Sequence, residues 1–320
     1  MRRILIVFTV LCLVAVLSAG CSKKPDAGTA AGPAAKLKVV VTIYPVYEFT
    51  RKVGGDRVEI TTLIPPGAEP HDWEPTTKDL LKLKTASLLF YNGAGFEPIE
   101  KLLTKEVLGT ATAVEVSKGI PLLTAAAEQD EGGHGHSHGH QKAKGGQEVD
   151  PHVWLDPEYA KMEVDTIAAA LSQVDPANAS YYSKNAASYK SELTKLHEEF
   201  AAGLAGVSRR DIVTTHAAFG YLAKRYNLNQ IPIMGLAPDA EPTPDKLAAI
   251  IRLCRDKNIT TIFFESLVSP KLAQTIARET GARLMVLQPV DGLSEEDAKK
   301  GHDYLSLMRQ NLANLKAALQ

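Results

Sequence analysis

Short apolar runs rich in β-branched residues alternate with segments of helical periodicity in the first part of the chain. The runs predict four strands, at Leu37–Ile43, Val58–Ile64, Ser87–Tyr91 and Thr112–Val116. Helices are expected between them, beginning near Val46, Thr76 and Pro98. Strands that alternate with helices predict a parallel sheet built from β-α-β units.

The last third of the chain repeats this alternation. Its runs predict strands at Ile212–Thr214, Gln230–Met234, Ile259–Phe264 and Arg283–Leu287. Thr243 and Pro244 indicate the start of a helix, as cap and first-turn proline, and a closing helix is expected over Ser306–Leu319. The predicted fold class is therefore α/β, with two lobes that each contain a parallel sheet flanked by helices.

The longest helical pattern lies between the two halves, after a shorter helix expected from about Pro157 to Gln173. Its apolar positions recur at spacings of four and three, at Tyr182, Ala186, Tyr189, Leu193, Leu196 and Phe200. Asp175 and Pro176 are typical of an N-cap and a first helical position. About 28 residues at 1.5 Å each make a rod of roughly 40 Å. We expect one rigid helix, residues 175–204, to join an N-terminal lobe (37–174) to a C-terminal lobe (205–320).

Residues 124–148 show no apolar periodicity and are rich in Ala, Gly, Gln, Lys and His. We expect a mobile surface insertion in the first lobe. It contains four histidines that alternate with Gly and Ser, at His134, His136, His138 and His140. Such imidazoles can bind a cation without a preformed geometry, which predicts an accessory metal-binding tract of lower affinity than a folded site.

The N-terminus has the pattern of a secretion signal. Arg2 and Arg3 precede an apolar run from Ile4 to Leu17, which is shorter than the ~20 residues of a membrane-spanning helix. The run ends in small residues and Cys21, and this end resembles a bacterial lipobox, although Ser18 stands where leucine is usual. The resemblance implies acylation of Cys21. We expect a signal at 1–21, a flexible tether at 22–36 rich in Ala, Gly and Pro, and an extracytoplasmic lipoprotein anchored to the membrane.

Composition excludes some classes of partner. Hydrophobic residues make up 45% of the chain, and 36 basic residues face 37 acidic ones, so no nucleic-acid partner is expected. Outside the signal the chain has a single cysteine, Cys254, which excludes a disulfide framework.

Three histidines lie where ligands are usually presented. His71 follows the second strand in a loop with four prolines, His152 lies in a turn bracketed by two Asp-Pro pairs, and His216 follows the strand that begins at Ile212. Ligands of open α/β sheets bind at the carboxyl ends of strands, so these residues converge if the lobes face one another. Neutral imidazole suits Zn²⁺, and three imidazoles need one more donor to complete a tetrahedron.

Several donors and supporting residues remain open. The fourth ligand is Asp291, which follows the last strand, or Glu265 at the end of the previous strand, or water. Asp150 or Asp156 can accept a hydrogen bond from the second nitrogen of His152 and fix its tautomer.

Catalytic motifs are absent from the sequence. There is no His-Glu-x-x-His pair and no Gly-rich phosphate loop, and the one Gly-x-Ser-x-Gly match, at residues 135–139, lies in the His-rich insertion and not at an elbow between a predicted strand and helix. We therefore expect a binding protein and not an enzyme, although a zinc hydrolase with an open metal position is the alternative of another class.

The residues resemble the zinc- and manganese-binding solute-binding proteins of bacterial ABC importers. The stretches 66–75, 150–155 and 213–221 look like the family's three ligand segments, and Asp291 matches the position of its carboxylate ligand. The resemblance implies two lobes joined by one helix, a metal in the cleft between them, and delivery to a membrane permease by a monomeric protein.

The choice of metal depends chiefly on the third ligand position. Histidine there, together with a His-rich insertion, resembles the zinc branch of the family, whereas a carboxylate resembles the manganese branch. His216 therefore favours Zn²⁺ as the cargo. The alternatives are a manganese-binding homologue and an adhesin-like surface lipoprotein that buffers zinc.

Overall fold

A computed structural model of the protein describes residues 35–124, 148–238 and 241–320. Residues Lys36–Gln320 belong to one compact unit. The signal, Cys21, residues 22–34 of the tether and the four histidines of the accessory tract lie outside the described residues, so the expectations for them stay predictions.

The first sheet has four parallel strands in the order β2-β1-β3-β4. They are β1 (Leu37–Val41), β2 (Val58–Thr62), β3 (Leu88–Tyr91) and β4 (Thr112–Glu115). Its flanking helices are α1 (Tyr44–Gly54), α2 (Thr77–Leu83) and α3 (Lys105–Leu108). Val39 and Val41 pack in one apolar cluster while Val40 packs in another, so the central strand is buried on both faces. Burial on both faces explains its continuous apolar sequence.

The helix predicted to begin at Pro98 is wrong. Residues 97–104 form turns, with Leu102 N donating to Ile99 O at 2.8 Å, and α3 begins only at Lys105. The buried carboxylate of Glu97 accepts hydrogen bonds from Thr42 Oγ1 and from the backbone nitrogens of Asn92 and Gly93. These bonds hold the start of the segment against the end of β3.

Two long helices follow, α4 (Pro157–Val174) and α5 (Ala179–Ala205), separated by a 3₁₀ turn at Pro176–Asn178. All six apolar positions that define the predicted stripe of α5 are buried. Asp175 does not cap α5. Its carboxylate instead accepts hydrogen bonds of 2.7 Å from Asn178 Nδ2 and Tyr182 Oη, and the helix begins at Ala179.

The second sheet repeats the first, with four parallel strands in the order β6-β5-β7-β8. The strands are β5 (Asp211–Thr214), β6 (Asn229–Pro232), β7 (Thr261–Phe264) and β8 (Arg283–Val286). The helices are α6 (Gly220–Arg225), α7 (Pro244–Asp256), α8 (Lys271–Thr280), α9 (Glu295–Lys300) and α10 (Tyr304–Leu319). The side chain of Thr243 caps α7, as predicted.

Helix α5 contacts both lobes. It packs against α1 and α4 of the first lobe and against α10 of the second. The predicted architecture of two parallel-sheet lobes with one long helix between them is therefore confirmed. In the part of the chain that the structure describes, no helix is long and apolar enough to cross a membrane.

Candidate metal centre

The three predicted histidines and Asp291 meet between the two sheets. His71 lies in a 3₁₀ turn, Pro70–Asp72, beyond β2, and His152 precedes a second such turn at Val153–Leu155. His216 follows β5 and Asp291 follows β8. One ligand atom from each of these four residues lies within 4.8 Å of the others.

The spacing of the imidazole nitrogens matches a tetrahedral zinc site. Nε2 of His152 lies 3.3 Å from Nε2 of His71 and 3.4 Å from Nε2 of His216. Zn–N bonds of about 2.0–2.1 Å at the corners of a tetrahedron place neighbouring nitrogens about 3.3–3.4 Å apart. Oδ2 of Asp291 lies 3.9 Å from Nε2 of His71. The four donors therefore fit one small divalent cation.

His152 is oriented by Asp150. Oδ1 of Asp150 lies 2.9 Å from Nδ1 of His152 and accepts the backbone N–H of the same residue at 3.0 Å. Burial raises the pKa of Asp150 to about 7. Asp156, the other predicted partner, instead caps α4 through Glu158 N and pairs with Arg225.

His216 is oriented in the same way by Glu265. Oε1 of Glu265 lies 2.8 Å from Nδ1 of His216 and also accepts its backbone N–H. Burial alone would lower the pKa of His216, but the charge and hydrogen bond of Glu265 outweigh it and raise the pKa to about 9. Glu265 was one of the alternatives for the fourth ligand. It instead contacts Nδ1 of His216, the ring nitrogen that points away from the cluster.

Asp291 is buried and has one oxygen facing the cluster. Oδ1 accepts the N–H of Gly292 at 2.7 Å, whereas Oδ2 has no hydrogen-bond partner among the described residues. An unpartnered buried carboxylate oxygen is costly, and a bound cation would remove that cost. Burial, reinforced by the charge of Glu265, raises the pKa of Asp291 to about 7 against the opposing effect of His216.

The backbone that presents Asp291 is constrained from both lobes. Val290 has a left-handed φ of 59°, which is strained for a β-branched residue. The carbonyl oxygen of Asp291 accepts the N–H of Tyr44, and Nε1 of Trp154 donates to the carbonyl of Pro289 at 2.7 Å. These two bonds join the Asp291 loop of the second lobe to the first lobe.

Sequence reasoning missed several residues around the cluster. The carboxylate of Glu69 accepts the N–H of His71 at 3.2 Å and caps its 3₁₀ turn, and burial beside Asp291 raises the pKa of Glu69 to about 8. The Phe96 ring lies 4.5 Å from that of His71, and the Trp154 ring 5.3 Å from that of His152. The sequence did contain a signal for Glu69, which is a carboxylate in a capping position two residues before His71. No local pattern predicts that the Phe96 and Trp154 rings lie beside the histidines.

The structure has two α/β lobes, one long helix that contacts both, and a cluster of three histidines and one aspartate between the sheets. These features define the class of metal-binding solute-binding proteins. The chain belongs to the family described as "ZnuA: Zinc-uptake complex component A periplasmic", whose model matches residues 39–318.

Curated relatives agree with this family. The chain is 41% identical over 305 residues to the high-affinity zinc uptake system protein ZnuA of Bacillus subtilis (strain 168), covering 95% of this chain and 94% of that protein. It is 38% identical over 320 residues to the zinc-binding lipoprotein AdcA of Streptococcus pneumoniae (strain ATCC BAA-255 / R6). That match covers 99% of this chain but spans only 61% of the length of AdcA.

Solved structures share the fold over the same region. The Zn(II)-bound ZnuA-like domain of Streptococcus pneumoniae AdcA is 37% identical, with a TM-score of 0.73, covering 89% of this chain and 99% of that domain. The laminin-binding protein Lbp of Streptococcus pyogenes is 32% identical, with a TM-score of 0.74, covering 89% of this chain and all of that one.

Proposed function

We propose that the protein is an extracytoplasmic zinc-binding protein that captures Zn²⁺ with high affinity and delivers it to the permease of an ABC importer. The observation that carries the proposal is the cluster of one ligand atom from each of three histidines and one aspartate within 4.8 Å, with the three Nε2 atoms facing one another. Membership of a zinc-uptake family and the names of its relatives support zinc as the cargo.

The proposed ligands are His71, His152, His216 and Asp291. Three imidazoles with one carboxylate are a donor set that suits Zn²⁺, whereas Mn²⁺ prefers carboxylate, carbonyl and water oxygens. Manganese is therefore the weaker competitor for this site. Four protein donors that complete a tetrahedron leave no position for a reactive water, which argues against a zinc hydrolase.

The remaining roles are proposed on other grounds. A lipid anchor at Cys21 rests on the lipobox-like sequence and on the relative named as a lipoprotein. The histidines at 134, 136, 138 and 140 are proposed as an accessory zinc-scavenging tract, and the protein is proposed to act as a monomer. Laminin binding is a second candidate function, because one similar structure is that of a laminin-binding protein.

Metal titration of the purified full chain tests the main proposal. Zinc, competed against a chelator of known affinity, should occupy one tight site, and His71→Ala, His152→Ala and His216→Ala should each weaken it at least about 100-fold, because each removes one of four metal bonds. His197→Ala is the control, since His197 lies beside Tyr226 and outside the cluster. Tight zinc binding that survives His71→Ala would refute the proposed site.

Binding of immobilised laminin by zinc-free and zinc-loaded protein tests the second function.

A further inference from the structure

The segment that carries His152 has little regular structure of its own. It runs from Asp150 through the short 3₁₀ turn Val153–Leu155 to Asp156, where α4 begins. A ligand on such a segment takes its position from the contacts that fix the segment, which are the Trp154–Pro289 bond in its middle and further contacts at its two ends. Both ends are held by α6, which belongs to the other lobe and begins four residues after His216.

The first contact between α6 and this segment is made by the hydroxyl of Tyr221. It donates to the carbonyl oxygen of Asp150 at 2.7 Å and accepts the N–H of Leu123 at 2.9 Å. Leu123 and Asp150 are themselves joined, since Asp150 N donates to Leu123 O at 2.9 Å. The Tyr221 side chain therefore ties together the two described stretches of chain that flank residues 125–147.

The second contact is the close approach of the Asp150 carboxylate to the backbone of Gly220. A Cβ atom on Gly220 would lie 2.5 Å from Oδ2 of Asp150, closer than real Cβ contacts. Oδ1 of the same carboxylate accepts the backbone N–H of His152 and lies 2.9 Å from its ring Nδ1. The absence of a side chain at Gly220 is thus what lets the Asp150 carboxylate occupy its place against His152.

The third contact is an ion pair at the far end of the segment. Arg225 contacts Oδ2 of Asp156 through Nε at 2.7 Å and Nη2 at 2.6 Å. Asp156 is buried and caps α4, so this pair fixes the point at which the segment enters the helix.

We propose that α6 positions His152 relative to His216, and that Tyr221, with Gly220 beside it, is a positioning residue of the metal site. Two histidines from different lobes are then preset as one pair by a single short helix. The inference rests on the proposed zinc function. It goes beyond the ligand set, because neither Tyr221 nor Gly220 touches the metal position.

Tyr221→Phe removes only the hydroxyl and should weaken zinc binding by the full chain about tenfold, the lower end of the 10–100-fold that direct hydrogen-bond partners of metal ligands contribute, because Tyr221 acts on His152 through Asp150. Bound Co²⁺, used as a spectroscopic probe, should show altered visible absorption, since that absorption reports ligand geometry. Tyr182→Phe is the matched control: its hydroxyl also donates a 2.7 Å hydrogen bond, but to Asp175. It should leave both measurements unchanged.

Gly220→Ala should weaken zinc binding more than Tyr221→Phe does, since the new methyl group displaces the Asp150 carboxylate itself. Gly206→Ala is its control, because a Cβ there meets no atom within 4 Å and the φ of −100° is ordinary.

A double-mutant cycle distinguishes positioning from a general effect on folding. If Tyr221 acts through His152, Tyr221→Phe should cause no further loss of affinity in a His152→Ala background. An equal loss in both backgrounds, or a Tyr221→Phe variant with wild-type zinc affinity and Co²⁺ absorption, would overturn the inference. A wild-type chain that binds no zinc in the same titration would instead refute the proposed function.

Discussion

Each of the two most buried histidines of the cluster has a carboxylate behind it, Asp150 for His152 and Glu265 for His216. A carboxylate can only accept a hydrogen bond, so it selects the tautomer in which Nδ1 carries the proton. The lone pair is then on Nε2, the nitrogen that faces the cluster. The two carboxylates therefore prepare both rings for a cation and increase their basicity as ligands.

Zinc affinity should fall with falling pH, because protons and metal compete for the same side chains. With the pKa of His216 raised to about 9 and that of Asp291 to about 7, zinc displaces a proton from His216 between about pH 7 and 9. Below about pH 7 it must also displace a proton from Asp291. The apparent association constant should fall about tenfold per pH unit in the upper range and more steeply below it. Competition titrations across this range measure the slope.

Asp291→Asn provides the control for this pH dependence. The amide cannot titrate, so the variant should bind zinc more weakly at every pH and show a shallower slope below about pH 7. Affinity that stays constant between pH 6 and 8 would contradict the assignment of these groups.

For single residues, the sequence predicted which side chains lie near the site better than it predicted what each of them does there. His71, His216, Asp291 and Glu265 all follow predicted strands, and the strand ends do converge. Strand position alone did not separate Asp291 from Glu265, because both follow neighbouring strands of one sheet, and only the family resemblance favoured Asp291 as the ligand. Their roles depend on side-chain direction, since Glu265 reaches Nδ1 of His216 while Oδ2 of Asp291 lies beside Nε2 of His71.

Among the elements, α5 was the most predictable, since its stripe is long and is buried by partners from both lobes. Leu196 on this stripe is fully buried. Leu196→Ala should lower the free energy of unfolding by about 2–5 kcal/mol, because it removes buried apolar surface and leaves a cavity. Urea denaturation of the metal-free protein measures this loss.

Leu81→Ala is the control for that substitution, because Leu81 is 55% exposed and should cost far less. Zinc affinity of the folded Leu196→Ala variant should remain unchanged, since Leu196 lies on α5 and none of the four proposed ligands does. A loss below 1 kcal/mol would mean that α5 is not the packed link between lobes that its burial indicates.

Two helix starts differ from the prediction and share one cause: α3 begins at Lys105 and not near Pro98, whereas Asp175 and Pro176 begin a 3₁₀ turn that leads directly into α5. Pro98 and Asp175 carry signals for a helix start, yet nearby polar groups use the available hydrogen bonds in another way. Glu97 binds the backbone after β3, and Asp175 binds Asn178 and Tyr182, so each segment forms tight turns before its helix begins. Competition of this kind depends on tertiary neighbours, which local pattern does not contain.

The whole molecule places two ligands in each lobe. The sheets have the same strand order, and His71 and His152 from the first lobe face His216 and Asp291 from the second. Direct bonds cross between the lobes at Trp154–Pro289 and Tyr44–Asp291. A metal bound to all four side chains would therefore link the lobes more firmly than these direct bonds do alone.

Zinc should consequently stabilise the molecule as one unit. A cation that binds the folded chain alone, at a free concentration 1,000 times its dissociation constant, adds about 4 kcal/mol to the free energy of unfolding. Because the ligands come from both lobes, amide exchange should slow in both. Denaturation and hydrogen exchange at buffered zinc concentrations measure the two effects. A chain lacking residues 132–146 should keep them, whereas His216→Ala should lose them. Protection confined to one lobe would show that zinc binds elsewhere.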